Sequence, residues 1–386
     1  MSAAASDLLA PVASGDGSAT GRAPEAPPPG TRPPETLARV ADRRAGRARW
    51  TMAGLAVALA AVAVASVGVG AVRISPRAVL AALGGAVGLD LGAVTDQQAA
   101  VLLSIRLPRV LLGALVGSGL AVSGALMQGL FRNPLADPSL VGVSSGAALG
   151  AAVAIVLASS AGVTALGLGP ALVTVAAFLG GLVTVLAVYR IATRGGRTSV
   201  ATMLLAGIAI NALCGAGVGV LVLFADDGQL RDLTFWTLGS LGGATWGGLA
   251  VVAPLVLAVV LAAPALARPL NALLLGEAEA GHLGVRTERV KGLVVGGAAL
   301  AVGAATAAAG LVGFVGLVAP HLVRLGLGPD HRALLPASAL AGALLVVAAD
   351  LAARTALAPA EVPIGIVTAL VGAPFFLWLL LRERPA

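Results

Sequence analysis

The stretch that decides the fold is residues 246–309, "WGGLAVVAPLVLAVVLAAPALARPLNALLLGEAEAGHLGVRTERVKGLVVGGAALAVGAATAAA". It begins and ends with apolar runs, Trp246–Leu266 and Leu293–Ala309. Between them, residues 274–292 hold three carboxylates, a histidine, two arginines and the only lysine of the chain, Lys291. A helix needs about 20 mostly apolar residues to cross the hydrocarbon core of a bilayer. The stretch therefore reads as one span, a polar connection in water, and a second span.

The same pattern extends outward in both directions. The chain has 386 residues, of which 58% are hydrophobic and 11% charged. A soluble domain carries about a quarter charged residues. No period-2 alternation runs through the apolar segments, which disfavours a β-barrel. The 52 glycines suit helices that pack closely in lipid. These features predict an all-α, polytopic membrane protein with about ten transmembrane helices. The single cysteine, Cys214, excludes an intramolecular disulfide and a cysteine metal cluster, and it reads as a small buried hydrophobe. The net charge of +7 could suggest nucleic acid, but the basic residues are scattered in connections, so no nucleic-acid partner is expected.

Ten spans are expected at 50–72, 109–130, 139–159, 168–190, 200–224, 246–267, 291–309, 311–327, 335–353 and 362–381. Residues 1–49, with "APEAPPPGTRPPE" and the basic "RVADRRAGRAR", read as a disordered, uncleaved cytoplasmic tail; residues 50–386 form the transmembrane domain. With the N-terminus inside, 19 of the 25 basic residues fall on cytoplasmic segments. That places both termini and the polar island in the cytoplasm. The segment 225–245 is too polar to span and is expected to hold a short helix at the outer mouth. "PLADPSLVGVSSGAALG" (134–150) faintly echoes "PAEVPIGIVTALVG" (359–372), as an inverted repeat would, although Gly/Ala-rich sequence also gives such echoes by chance.

The chemistry of the chain is sparse. A phosphate-binding G-x-x-x-x-G-K-[ST] loop cannot occur, because the sole lysine is followed by Gly292. Ion-coupled carriers keep acids deep in the membrane. Here Asp350 is the only acid within a span, and Arg354 stands one turn on, at the spacing of an ion pair. His282, His321 and His331 are far apart in sequence and are expected in loops or at helix ends. No metal site, cofactor site or catalytic cluster is expected. In "RNPLADP" (132–138), Asn133 and Pro134 should end one helix, and Pro138 should open the next as a structural turn. The island "GEAEAGHLGV" offers two helical turns broken at Gly281 and Gly284. From its residues alone it is as readily a solvated loop as a docking element for a partner that supplies energy.

Several long stretches resemble the FecCD-type permeases, membrane subunits of ABC importers for ferric siderophores, haem and cobalamin. They are "IRLPRVLLGALVGSGLAVSGALMQGLFRNPLADPSLVGVSSGAALGA" (105–151), "LGEAEAGHLGV" (275–285), "GLVGFVGLVAPHLVRL" (310–325), "DHRALLPASALAGALLVVAADLAART" (330–355) and "PAEVPIGIVTALVGAPFFLWLL" (359–380). The resemblance covers about residues 50–384 and implies a type II importer architecture of ten helices per subunit. It also implies a second permease subunit, identical or paralogous, two cytoplasmic ABC ATPase subunits and an extracytoplasmic substrate-binding protein. It makes the connection at about 268–290 the coupling element that presses on the ATPase, through Leu275, Gly276, Glu277, Ala278, Gly281, Leu283 and Gly284. It maps binding-protein docking to Arg106, Arg109 and Arg354, whose fixed forks suit carboxylates. Anchoring at the lipid interface is the other reading for Arg106 and Arg109.

The expected function is a cell-membrane permease subunit importing an iron(III)–siderophore by alternating access, with ATP hydrolysed by the partner subunits. Cobalamin or haem import is the neighbouring alternative. An ion-coupled secondary carrier is the alternative from another class.

Overall fold

The computed structural model describes residues 34–70, 74–86, 88–89, 95–160 and 169–382. Two compact units divide at Ala45/Gly46. In the first, the described residues are helical from Pro34. Residues 1–33 of the expected tail lie outside the described residues. Helix α1 (Pro34–Gly68) begins well before residue 50, so residues 34–49 are not the disordered segment expected. Pro34 suits a first helical position, and the Ala, Arg, Leu and Glu after it are good helix formers.

The second unit holds the remaining helices: α2 (Pro76–Ala86), α3 (Asp96–Ala100), α4 (Leu107–Phe131), α5 (Val143–Ser160), α6 (Gly169–Ala192), α7 (Val200–Phe224), α8 (Asp227–Leu238), α9 (Trp246–Ala262), α10 (Ala267–Leu273), α11 (Glu277–His282), α12 (Thr287–Ala309), α13 (Val315–Leu327), α14 (His331–Thr355) and α15 (Ile364–Arg382). Among the described residues, strands are confined to a hairpin, β1 (Thr193–Arg194) and β2 (Arg197–Thr198), turned by Gly195 and Gly196 at positive φ. Among the described residues, seven segments are long and apolar enough to cross a membrane, and three shorter apolar helices accompany them. Together they coincide with the ten expected spans. The short outer helix expected within 225–245 is α8, opened by a reciprocal capping box between Asp226 and Gln229.

Helix α4 is the spine, packed against α9, α12, α13 and α14. Its glycines permit this. A Cβ on Gly117 would overlap the Gly342 carbonyl of α14, and one on Gly124 would overlap the Gly316 carbonyl of α13. Without side chains there, backbones meet directly, and dispersion holds helices together where lipid offers no hydrophobic drive.

Helix α4 is also the end of a longer helix that starts at Asp96 and passes through one π-turn, Val101–Arg106. The next π-register partner of the Leu103 carbonyl would be Pro108, which has no N–H. The Trp246 indole donates to that carbonyl instead, at 2.8 Å. After α4, Arg132 turns into the left-handed region, and the Asn133 and Arg132 N–H groups cap the last carbonyls, those of Gln128 and Gly129. The Asn133 side chain accepts from Leu135 N–H, and Asp137 accepts from Ser139 N–H to start a 3₁₀ turn at Pro138. "RNPLADP" is thus a structural turn, as its residues suggest.

One histidine departs from expectation. His321 is neither in a loop nor at a helix end. It lies within α13, buried, edge-on to Phe375 of α15. Its stretch "LVAPHLV" is apolar on both sides, which suits a buried position, and the helix continues through Pro320.

Candidate functional site

Two polar clusters mark opposite faces of the helical unit. Helices α4 and α14 run antiparallel, so the start of α4 meets the end of α14. The end of α4 meets the start of α14, where a Cβ on Gly129 would press on the His331 ring.

The first face carries the arginines. Arg109, on the first turn of α4, is 9% exposed. Its Nε donates to Asp350 Oδ1 at 3.0 Å, while its two terminal nitrogens donate to Glu361 at 3.1 and 2.9 Å. Arg354 donates from Nε to Asp350 Oδ2 at 3.2 Å, so the expected i,i+4 pair is present and is shared with Arg109. Arg354 also reaches the carbonyls of Ser66 and Val69 at 2.8 and 3.2 Å. Arg106, 6% exposed, donates to the carbonyls of Val67 and Gly68 at 2.6 and 3.0 Å. Two guanidinium groups therefore satisfy the last carbonyls of α1, where a helix needs donors and favours cations. The three arginines mapped by resemblance do converge on one face. They are turned inward, however, and hold α1, α4, α14 and the chain before α15 together. Glu361, half-exposed, is the member of the cluster that meets solvent.

The second face carries the island. Helix α10 is tied to the start of α14: Asn271 donates to Asp330 at 2.6 Å and accepts from His331 N–H at 3.0 Å. Asp330 caps α14 through Arg332 N–H at 3.0 Å. Burial alone would raise the Asp330 carboxyl, but these donors and the nearby Arg332 charge hold it below the usual carboxylate range.

Gly276, at φ +129°, then turns the chain into α11. The helix runs through Gly281 and stops at Gly284, so the expected break at Gly281 is absent. Gly284, at φ +81°, donates to Gly281 O, and Val285 donates to Ala280 O. That is a Schellman closure, which needs its glycine at the left-handed position and nowhere earlier.

Ala280 is packed inward. Glu277, Ala278, Glu279, Gly281 and His282 are exposed, and Leu275 and Leu283 stand 67% and 65% exposed at either end. The seven residues mapped to this element thus form one short surface, with Gly276 alone buried. Leu275 and Leu283 are thus exposed leucines on an otherwise polar segment outside the apolar helices.

Behind this surface lies Lys291, on the first turns of α12. Its Nζ donates to Glu277 at 2.8 Å, Glu288 at 3.0 Å and Thr198 O at 2.8 Å. Sequence reading noticed the only lysine but gave it no partner, and it passed over Glu361 within "PAEVP". The available signal was scarcity: one lysine in the chain, and one acid between Asp350 and the end of α15. Among the described residues, no three His, Cys, Asp or Glu gather as a metal site.

A model of the FecCD transport family matches residues 55–382. The chain is 51% identical over 286 residues to the hemin transport system permease protein HmuU of Yersinia pestis, covering 73% of this chain and 83% of that protein. It is 49% identical over 281 residues to the cobalamin import system permease protein BtuC of Halobacterium salinarum, covering 73% of each. A solved structure of an inward-facing ABC transporter, described as of metal-chelate type, superposes with TM-score 0.74 at 33% identity, covering 86% of this chain and 98% of that one.

Proposed function

Since the chain belongs to the FecCD transport family, and is thereby a multi-pass permease subunit of an ABC importer served by separate ATPases and a substrate-binding protein, we propose that its cargo is a metal tetrapyrrole, hemin in the first place. The observation that carries this reading is the 51% identity with a hemin permease along 83% of that protein's length. Cobalamin is the second reading, favoured by the 49% identity to a cobalamin permease. The iron–siderophore cargo expected from the resemblance has the family alone behind it.

In this reading α11 faces the cytoplasm, as the distribution of basic residues suggests, and the arginine face meets the extracytoplasmic binding protein. Leu275, Gly276, Glu277, Ala278, Gly281, Leu283 and Gly284 form the ATPase contact, supported by the two exposed leucines. Docking engages Arg106, Arg109 and Arg354, supported by their convergence on one face. Because the guanidinium groups are internally paired, an incoming carboxylate exchanges with Glu361 on Arg109. Import proceeds by alternating access along a path between this chain and a second permease subunit, identical or paralogous. ATP closes the partner ATPases, α11 moves with them, and the path opens to one side or the other.

The test is uptake by cells that lack the gene, with radioiron hemin, radiocobalt cobalamin and a radioiron siderophore offered separately. Loss of hemin uptake alone, restored by the chain, is expected. Loss of cobalamin or siderophore uptake alone would replace the cargo and leave the permease assignment standing.

A further inference from the structure

From the contacts of Lys291 we infer that this residue is the transmission link of the permease: it locks α11 to α12 and to the hairpin that leads into α7, so that the three move as one body. The inference rests on the proposed reading of α11 as the ATPase contact.

Lys291 is 1% exposed, and all three of its ammonium hydrogens have acceptors on different segments. Glu277 is the first residue of α11. Glu288 lies on the first turn of α12. Thr198 ends β2, and the next residue, Ser199, caps α7 by accepting from Thr202 N–H. The clamp on the hairpin has two points, since Glu288 Oε2 also accepts Thr198 N–H at 2.9 Å. Both peptide groups of one hairpin residue are thus held by side chains of α12.

The Lys291 ammonium stays buried while its carboxylates are part-exposed, 46% for Glu277 and 35% for Glu288, so parting the joint costs chiefly the ammonium, which would lose acceptors without gaining water. Its position selects what it can move. Helix α12 is packed into the core. Helix α7 rests on α5, α6 and a 3₁₀ turn, and it leaves Leu205, Ile208, Leu213, Leu223 and Phe224 exposed. A displacement of α11 therefore passes through Lys291 to the start of α7, a helix with a wide exposed apolar face.

The test uses the full chain assembled with its ATPase in liposomes. Spin labels replace His282 on α11 and Arg197 on β2, in a Cys214→Ala background, and their separation is measured with and without ATP. The separation is expected to hold constant in the parent chain. In Lys291→Met, and in Glu277→Gln, which removes only the α11 arm, it is expected to change with ATP by more than about 2 Å, the scale of helix shifts in switching proteins. If Lys291→Met fails to assemble, Glu277→Gln decides alone. A parent separation that shifts with ATP, or a Glu277→Gln separation that does not, would overturn the inference. A companion variant, Leu275→Asp/Leu283→Asp, is expected to lose ATPase binding. Retained binding would overturn the reading of α11 and the inference with it; lost binding with a shifting parent separation would overturn the inference alone.

Discussion

Two carboxylates around one arginine differ sharply in what they carry. Asp350 is buried between Arg109 and Arg354, whereas Glu361 is half in solvent. Replacing Asp350 by Asn would remove the buried anion that Arg109 and Arg354 share and leave Glu361 on Arg109 alone, a loss of about 3–5 kcal/mol for a broken buried pair. Replacing Glu361 by Gln should cost within about 1 kcal/mol, as at other exposed pairs, because water and Asp350 remain on Arg109. Thermal unfolding of the two detergent-solubilised variants against the parent would check the contrast; equal losses would contradict it. The Asp350–Arg354 half of this cluster was legible because i,i+4 neighbours meet on any helix. The Arg109 half was not, since 241 residues separate Arg109 from Asp350 and no local pattern reports such a pairing. Lys291 and Thr198, 93 residues apart, escaped for the same reason.

At the scale of elements, the helices differ in how much side-chain volume they tolerate. On α4, a Leu at Gly124 must displace the α13 backbone, because even a Cβ there overlaps the Gly316 carbonyl. The expected cost is about 3 kcal/mol or more, at the upper end of overpacking. On α7, a Cβ at Gly215 meets nothing within 4 Å, so Gly215→Ala should be neutral within about 0.5 kcal/mol. Yields of folded protein after membrane extraction would show the difference. Apolar run length marked both helices in the sequence equally well. It could not mark which glycine faces a backbone and which faces outward, because in lipid both sides of a helix are apolar. Shorter elements were also hidden. Helices α2 and α3 lie in a stretch expected to be an outer connection, too short and mixed in polarity to stand out. The start of α13 at Val315 depended on Phe314, which takes φ +65° to cap it.

At the scale of the whole molecule, the two polar faces should lie on opposite sides of the membrane. A cysteine placed at His282 is expected to react with an impermeant maleimide only in inside-out vesicles. One placed at Glu361 should react only from outside, with Cys214 changed to Ala in both. The reverse pattern would invert the proposed topology. The number of apolar helices was legible in runs of apolar residues, and the scatter of 25 basic ones is what suggests a cytoplasmic island. The assembly of each face was not legible, because it is made by residues that meet only after helices from across the chain have packed. One property of the chain as a whole turns the cluster behind α11 into a natural reporter. A chain with a single lysine has a single side-chain amine, and that amine is sealed among three acceptors. An acylating reagent can reach it only in the moments when the joint is open. Its rate of modification, read on the one peptide that holds it and divided by the rate of a free lysine, gives the fraction of time the joint spends apart. Transport-competent membranes would carry this clock without any label being engineered.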